Sequence, residues 1–273
     1  MGQKKNQITL YLQRISDILL INGGFVGSPG IYAGEMGLAL FFSHYARFTG
    51  NELYKEYSFG LIKKIQNSIH LGTPIDYKQG LAGIGSAIEY LVQNCFFEGD
   101  TDDILEEFDK RIFYAYSFSL LTIDEILSIG YYALWRMSGN SSKKEYIRKS
   151  ILPEIVNFMK EKYMNNNFSH PMVSFIDDII SIENIIDLPD HSNIHSFLRL
   201  CSNKKQGSFD GTSYENILGK MENTSKNIFL MNENIPLGFQ NGLAGLGIFL
   251  ITELDGNDSW TSLLPNDFIP EKK

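Results

Sequence analysis

A short glycine pattern that returns at a near-constant interval constrains this chain more than any other feature. Gly34-Glu35-Met36-Gly37, Gly80-Leu81-Ala82-Gly83 and Gly242-Leu243-Ala244-Gly245 each spell GxxG, and each runs into a strongly apolar stretch. A weaker copy, Ile129-Gly130-Tyr131-Tyr132-Ala133, keeps the second glycine alone. The second glycines Gly37, Gly83 and Gly130 stand 46 and 47 residues apart. Another 47 residues reach Asp177, in the apolar segment Phe175-Ile176-Asp177-Asp178-Ile179-Ile180, and Gly245 lies 68 further on. A fixed period of about 20–50 residues marks supersecondary units that bury their faces against one another.

The segments between the glycines decide what those units are. Leu53 to His70 places Tyr54, Tyr57, Leu61, Ile62 and Ile65 at three- and four-residue steps, which is helical spacing. Leu105, Phe108, Ile112, Ala115 and Tyr116 repeat it behind Thr101-Asp102-Asp103, read as an N-cap with an acidic first turn. Ile147, Ile151, Ile155, Phe158 and Met159 repeat it again, with Pro153 as the awkward residue. The stretches after each GxxG are apolar on nearly every side, as buried helices are. Strand alternation is absent. The chain therefore reads as all-α, built from hairpins with one outer amphipathic and one inner buried helix. Two helices of about 15 residues plus loops account for the period. Glycine at each entry lets inner helices approach closely. A closed α/α toroid and an open solenoid both satisfy this pattern, and inner helices apolar on both flanks favour closure. The expectation is one toroid domain over residues 1–254 with about five to six hairpins. Segment 202–226 interrupts the phase, either as a lid or docking insertion or as an ordinary connection, and 255–273 is an irregular tail.

Composition removes several function classes. Lys+Arg number 24 against 32 Asp+Glu, so the chain carries a net charge of −8 and repels phosphate backbones. Nucleic acid is therefore not the expected partner. Two cysteines, Cys95 and Cys201, make neither a disulfide framework nor a four-thiolate metal site. Tyr11, Gln13, Arg14 and Asp17 break the apolar residues near the start, and no run of about 18 apolar residues occurs anywhere. The expected location is the cytoplasm, with no membrane insertion.

The GLAG wording of Gly80–Gly83 and Gly242–Gly245, with a spacing of about 46 residues covering most of Ile31 to Leu254, resembles the lanthionine synthetase C-like family. The resemblance implies an α/α toroid whose loops before the inner helices line a mouth, and a peptide as substrate or partner. It also implies thioether formation, in which a peptide thiolate adds to a dehydroalanine or dehydrobutyrine. A zinc held by two Cys and one His lowers the thiol pKa in such members. This chain departs there. Gln240-Asn241 precede Gly242 where the family has Cys-His, none of His44, His70, His170, His191 or His195 precedes a GxxG glycine, and an amide does not replace a thiolate. No metal or cofactor is expected, and the role becomes an accessory or peptide-binding one in ribosomal peptide modification. The resemblance implies a proton-handling aspartate at Asp76, four residues before Gly80; as a bare residue it caps the helix or turns the loop after Pro74. Glu35, Tyr77, Lys78, Gln79, Asp177, Gln240 and Asn241 are the expected mouth residues beside it, with Gly34, Gly37, Gly80, Gly83, Gly242 and Gly245 structural. Glu35 equally reads as N-terminal helix charge, and Asp177-Asp178 as a solvated acidic pair.

Two other readings stay open. Asp76 with Glu35 or Asp177 would be the carboxylate pair of a carbohydrate-active α/α barrel, which requires a separation of about 5–10 Å. A scaffold presenting its rim to a protein partner needs no chemistry at all. Asp102-Asp103 with Glu106 has the spacing of an acidic metal box, but its place in a first turn reads as dipole complementarity. His44 reads as a core or rim histidine.

Overall fold

The computed structural model describes residues 2–114, 120–164, 172, 175, 178, 179 and 236–264. All regular secondary structure among them is helical. The chain divides into two compact units, one of residues 1–74, 78–80 and 210–260, the other of 75–77, 81–209 and 261–273. Asp177, Cys201, His170, His191, His195 and segment 202–226 lie outside the described residues.

In the first unit, α1 (Gly2–Asn22) packs on α10 (Leu243–Asp255), α10 on α2 (Glu35–Thr49), and α2 on α3 (Glu52–Ser68). Residues Glu35 through Ala46 of α2 are all buried, whereas α3 buries only Ser58, Leu61, Ile62 and Ile65. That contrast separates an inner from an outer helix, as the apolar pattern predicts. Leu38, Leu40, Phe41 and Phe42 are fully enclosed, each contributing about 1.5–3 kcal/mol of burial. Where α2 meets α3, Ser43 and Ser58 hydrogen-bond at 2.8 Å, and Ser58 Oγ donates to the Ala39 carbonyl at 2.8 Å, so neither buried hydroxyl is stranded. Gly50, at φ 68°, turns the chain out of α2, and Asn51 then caps α3 by accepting from Leu53 N–H. Helix α1 carries no glycine signature, yet Ile8, Leu12, Ile15, Ile18 and Leu19 form its buried stripe. Part of the 255–273 tail is ordered. A 3₁₀ turn at Ser259–Leu263 buries Trp260 edge-on to Phe239, and the Trp260 indole N–H donates to Thr252 Oγ1 at 2.8 Å.

In the second unit, α4 (Leu81–Gln93) is buried from Leu81 to Leu91 and packs on α7 (Ile123–Ser138). Between them run α5 (Thr101–Ile104) and α6 (Glu106–Asp109), which passes into a π turn at Lys110–Tyr114. Asp100 caps α5, not Thr101, because its carboxylate accepts from Asp102 N–H at 2.9 Å. A further outer segment runs from α8 (Lys144–Tyr146) through a π turn at Ile147–Ile151 into α9 (Leu152–Met164). The wide turn sits just before Pro153, whose ring has no N–H to donate and crowds the preceding carbonyls.

One polar cluster staples this unit. The fully buried Arg136 on α7 pairs with Glu89 of α4, Asp102 of α5 and Asp109 of α6. Tyr132 donates to Asp109 at 2.6 Å, and Thr101 and Gln93 donate to Glu89. Burial pushes the Asp102 carboxyl up, but hydrogen bonds from Ser142, Ser141 and Arg136 outweigh it and hold the group well below the usual carboxylate range. Asp102 therefore does more than complement a helix dipole: it ties α5 to α7 and to the start of the next helix.

Candidate functional site

The three GxxG loops share one backbone geometry. Glu35 N–H donates to the Ser28 carbonyl at 2.8 Å, and Leu243 N–H donates to Pro236 at 2.9 Å, the same position seven residues back. One residue on, Met36, Ala82 and Ala244 donate to Pro29, Ile75 and Leu237 at 3.3, 3.3 and 3.1 Å. Each loop thus folds back under the first turn of its helix and satisfies N–H groups that a helix start leaves orphaned.

The loops also join one another. Gln240 N–H donates to the Tyr32 carbonyl at 3.0 Å, and Tyr32 N–H donates to the Lys78 carbonyl at 3.1 Å. Gln240, Tyr32 and Lys78 hold equivalent places, two residues before Gly242, Gly34 and Gly80. Glycine is required at these crossings. A Cβ on Gly30 would stand 2.6 Å from Lys78 O and closer still to Gln79 Cα, and one on Gly238 would stand 2.6 Å from Ala33 Cα. The equivalent residue in the middle loop is Asp76. Its neighbour Tyr77 donates its N–H to Ser128 Oγ at 3.0 Å instead of to a loop carbonyl. The cause lies in α7, which starts a turn early on a Thr122–Glu125 capping box and offers a hydroxyl where the other loops offer a backbone oxygen.

The expected mouth residues separate into distinct environments. Lys78 and Gln79 are exposed, Asp76, Gln240 and Asn241 are half-buried, and Asn241 holds a left-handed φ of 54°. Tyr77 does not face solvent. It is 1% exposed, its hydroxyl lies 3.4 Å from the Leu263 carbonyl, and burial pushes that hydroxyl's pKa up. An aromatic side chain beside Asp76 is thus used for packing. Glu35 and Gln79 share a cleft of about 600 Å³ in the first unit, and Asp76 is not part of its lining. Ser28, Lys64, His70 and Thr73 also line it. Glu35 is 5% exposed and takes a hydrogen bond of 2.5 Å from Lys64, whose side chain is 55% exposed. Burial pushes the nearby Tyr57 hydroxyl up, Lys64 opposes the shift and Glu35 adds to it. Lys64 is the member sequence reasoning passed over, because it sits on an outer helix among other surface lysines.

Gln240 and Asn241 supply amides only, and Cys95 is an exposed thiol following α4. Among the described residues no three His, Cys, Asp or Glu side chains converge to hold a metal ion. Nor is any described helix long and apolar enough to cross a membrane. No protein-family model, no curated protein and no solved structure matches the chain.

Proposed function

We propose that this chain is a zinc-less protein of the lanthionine synthetase C-like kind: an α/α toroid that binds a peptide at its loop face and serves ribosomal peptide modification as an accessory in the cytoplasm. The observation that supports this most is the backbone chain Gln240 to Tyr32 to Lys78, which sets successive GxxG loops hand to hand. Loops joined this way form a rim, with Gln79, Gln240 and Asn241 on it and a cleft holding a buried carboxylate beside it. The packing of α10 on α2 supports closure, since it brings the last inner helix against the first. Asp76 in this reading helps to position the peptide.

The carbohydrate reading is weaker, because Glu35 is already engaged by Lys64. The test uses peptides carrying a dehydroalanine upstream of a free cysteine. Fluorescence anisotropy reports binding, and loss of alkylatable thiol reports ring closure. The expected result is saturable binding with no thiol loss. Ring closure would overturn the accessory role, and absence of binding across the set would overturn peptide handling.

A further inference from the structure

We propose that the Glu35 cleft takes a basic side chain of the bound peptide flanked by apolar residues, the peptide's cation replacing Lys64 on Glu35. This rests on the peptide-binding reading and names what the site selects.

The argument starts from the cost of burying a carboxylate. Glu35 is 5% exposed, and a carboxylate buried that far is costly to keep charged without a cation beside it. Lys64 supplies one from a flexible stem whose side chain is 55% exposed. Such a lysine returns to water at small cost, so it exchanges readily with a competing cation. The rim adds a second, independent feature. Phe25 is 84% exposed between the lining residues Gly24 and Val26, and Leu71 is 95% exposed between His70 and Gly72. Both lining segments thus hold a large apolar side chain out in solvent, where it costs free energy unless something covers it. A volume of about 600 Å³ accommodates one long side chain and part of its neighbours. The chain's net charge of −8 draws a basic segment towards it. The charge cluster around Arg136 is closed on itself: Glu89, Asp102 and Asp109 are each bonded to it and to neighbouring donors.

The test measures anisotropy of a capped, labelled five-residue peptide with lysine at its centre and leucine and phenylalanine beside it, against the same peptide with glutamine for lysine. The full chain is expected to bind the lysine peptide at least about tenfold more tightly. Glu35→Gln should abolish that preference. Lys64→Ala should tighten binding several-fold, because it removes the competitor; a purely structural ion pair gives no such gain. Phe25→Ser and Leu71→Ser, both at exposed positions that leave folding intact, should each weaken binding several-fold. Equal affinity for the two peptides, or indifference to the rim variants, overturns the inference. If dehydroalanine peptides still bind in that case, the broader reading survives; if no peptide binds, both fall.

Discussion

Replacing Gly30 by alanine tests the loop junction with a single methyl group. The Gly30 backbone itself is one that alanine can adopt, so the cost is steric. The new Cβ would stand 2.6 Å from Lys78 O and 2.8 Å from the Gln79 carbonyl carbon, both backbone atoms that no rotamer change can move. Restoring a contact of about 3.5 Å requires the two loops to part by about 1 Å. The Tyr32 to Lys78 hydrogen bond, at 3.1 Å, does not survive that separation. Its loss costs about 0.5–1.5 kcal/mol, and overpacking adds about 1–3 kcal/mol. The reduced freedom of the unfolded chain returns about 0.4–1 kcal/mol. The net is a destabilisation of about 0.5–4 kcal/mol, or a fall in Tm of roughly 1–16 °C for a chain of this size. Gly60→Ala is the matched control: Gly60 lies within α3 with nothing near its would-be Cβ, so helix propensity alone should raise stability by about 0.5–1 kcal/mol. Differential scanning calorimetry of the two variants beside the parent reads both signs. A Gly30→Ala protein as stable as the parent would refute the close approach of the loops.

Two further predictions concern titration and charge. Burial, with help from the Arg47 charge, pushes His44 down to about 3, so the folded protein keeps it neutral while the unfolded chain protonates it near pH 6.5. The folded pKa is the lower one, so this stability is present above about pH 6.5 and is lost as pH falls below it, by up to about 1.4 kcal/mol per pH unit. Urea unfolding between pH 7 and 5 should show that slope, reduced by the same amount in His44→Gln; equal slopes would contradict it. Arg136→Met leaves Glu89 and Asp109 buried without their cation and should cost about 3–5 kcal/mol. Adding Glu89→Gln and Asp109→Asn should recover part of that loss in denaturant titration; a triple variant no better than the single would show the charges are not its source.

The helical class and the pairing of inner with outer helices were legible because both write themselves locally, as apolar residues at three- and four-residue steps. The equivalence of the GxxG loops was legible too, since a Cβ on Gly34 or Gly242 would press on the backbone of Gly30 or Gly238 four residues back. Other features left a trace that a repeat search passes over. Helix α1 has a clear stripe from Ile8 to Leu19 but no GxxG entry, and Thr122 with Glu125 spells a capping box that starts α7 early. The Arg136 cluster left none: its partners lie 47, 34 and 27 residues away, and nothing local in Asp102-Asp103 distinguishes a staple from a capped first turn. Tyr77 shows the converse error, since its place beside Asp76 suggested a rim residue while its size made it core. The Glu35 cleft is half legible. The carboxylate stands inside a GxxG, but Lys64 reaches it from a neighbouring helix 29 residues on.

Amide hydrogen exchange at Tyr32 and Gln240 tests the central claim most directly. Both residues lie outside helices, and surface turns exchange within seconds. If the loops are joined backbone to backbone, these two amides should be protected on the order of a thousandfold or more, comparably to the buried inner helices. Exchange at the rate of an open loop would mean that the GxxG loops do not hold one another, and the rim built on them would not exist.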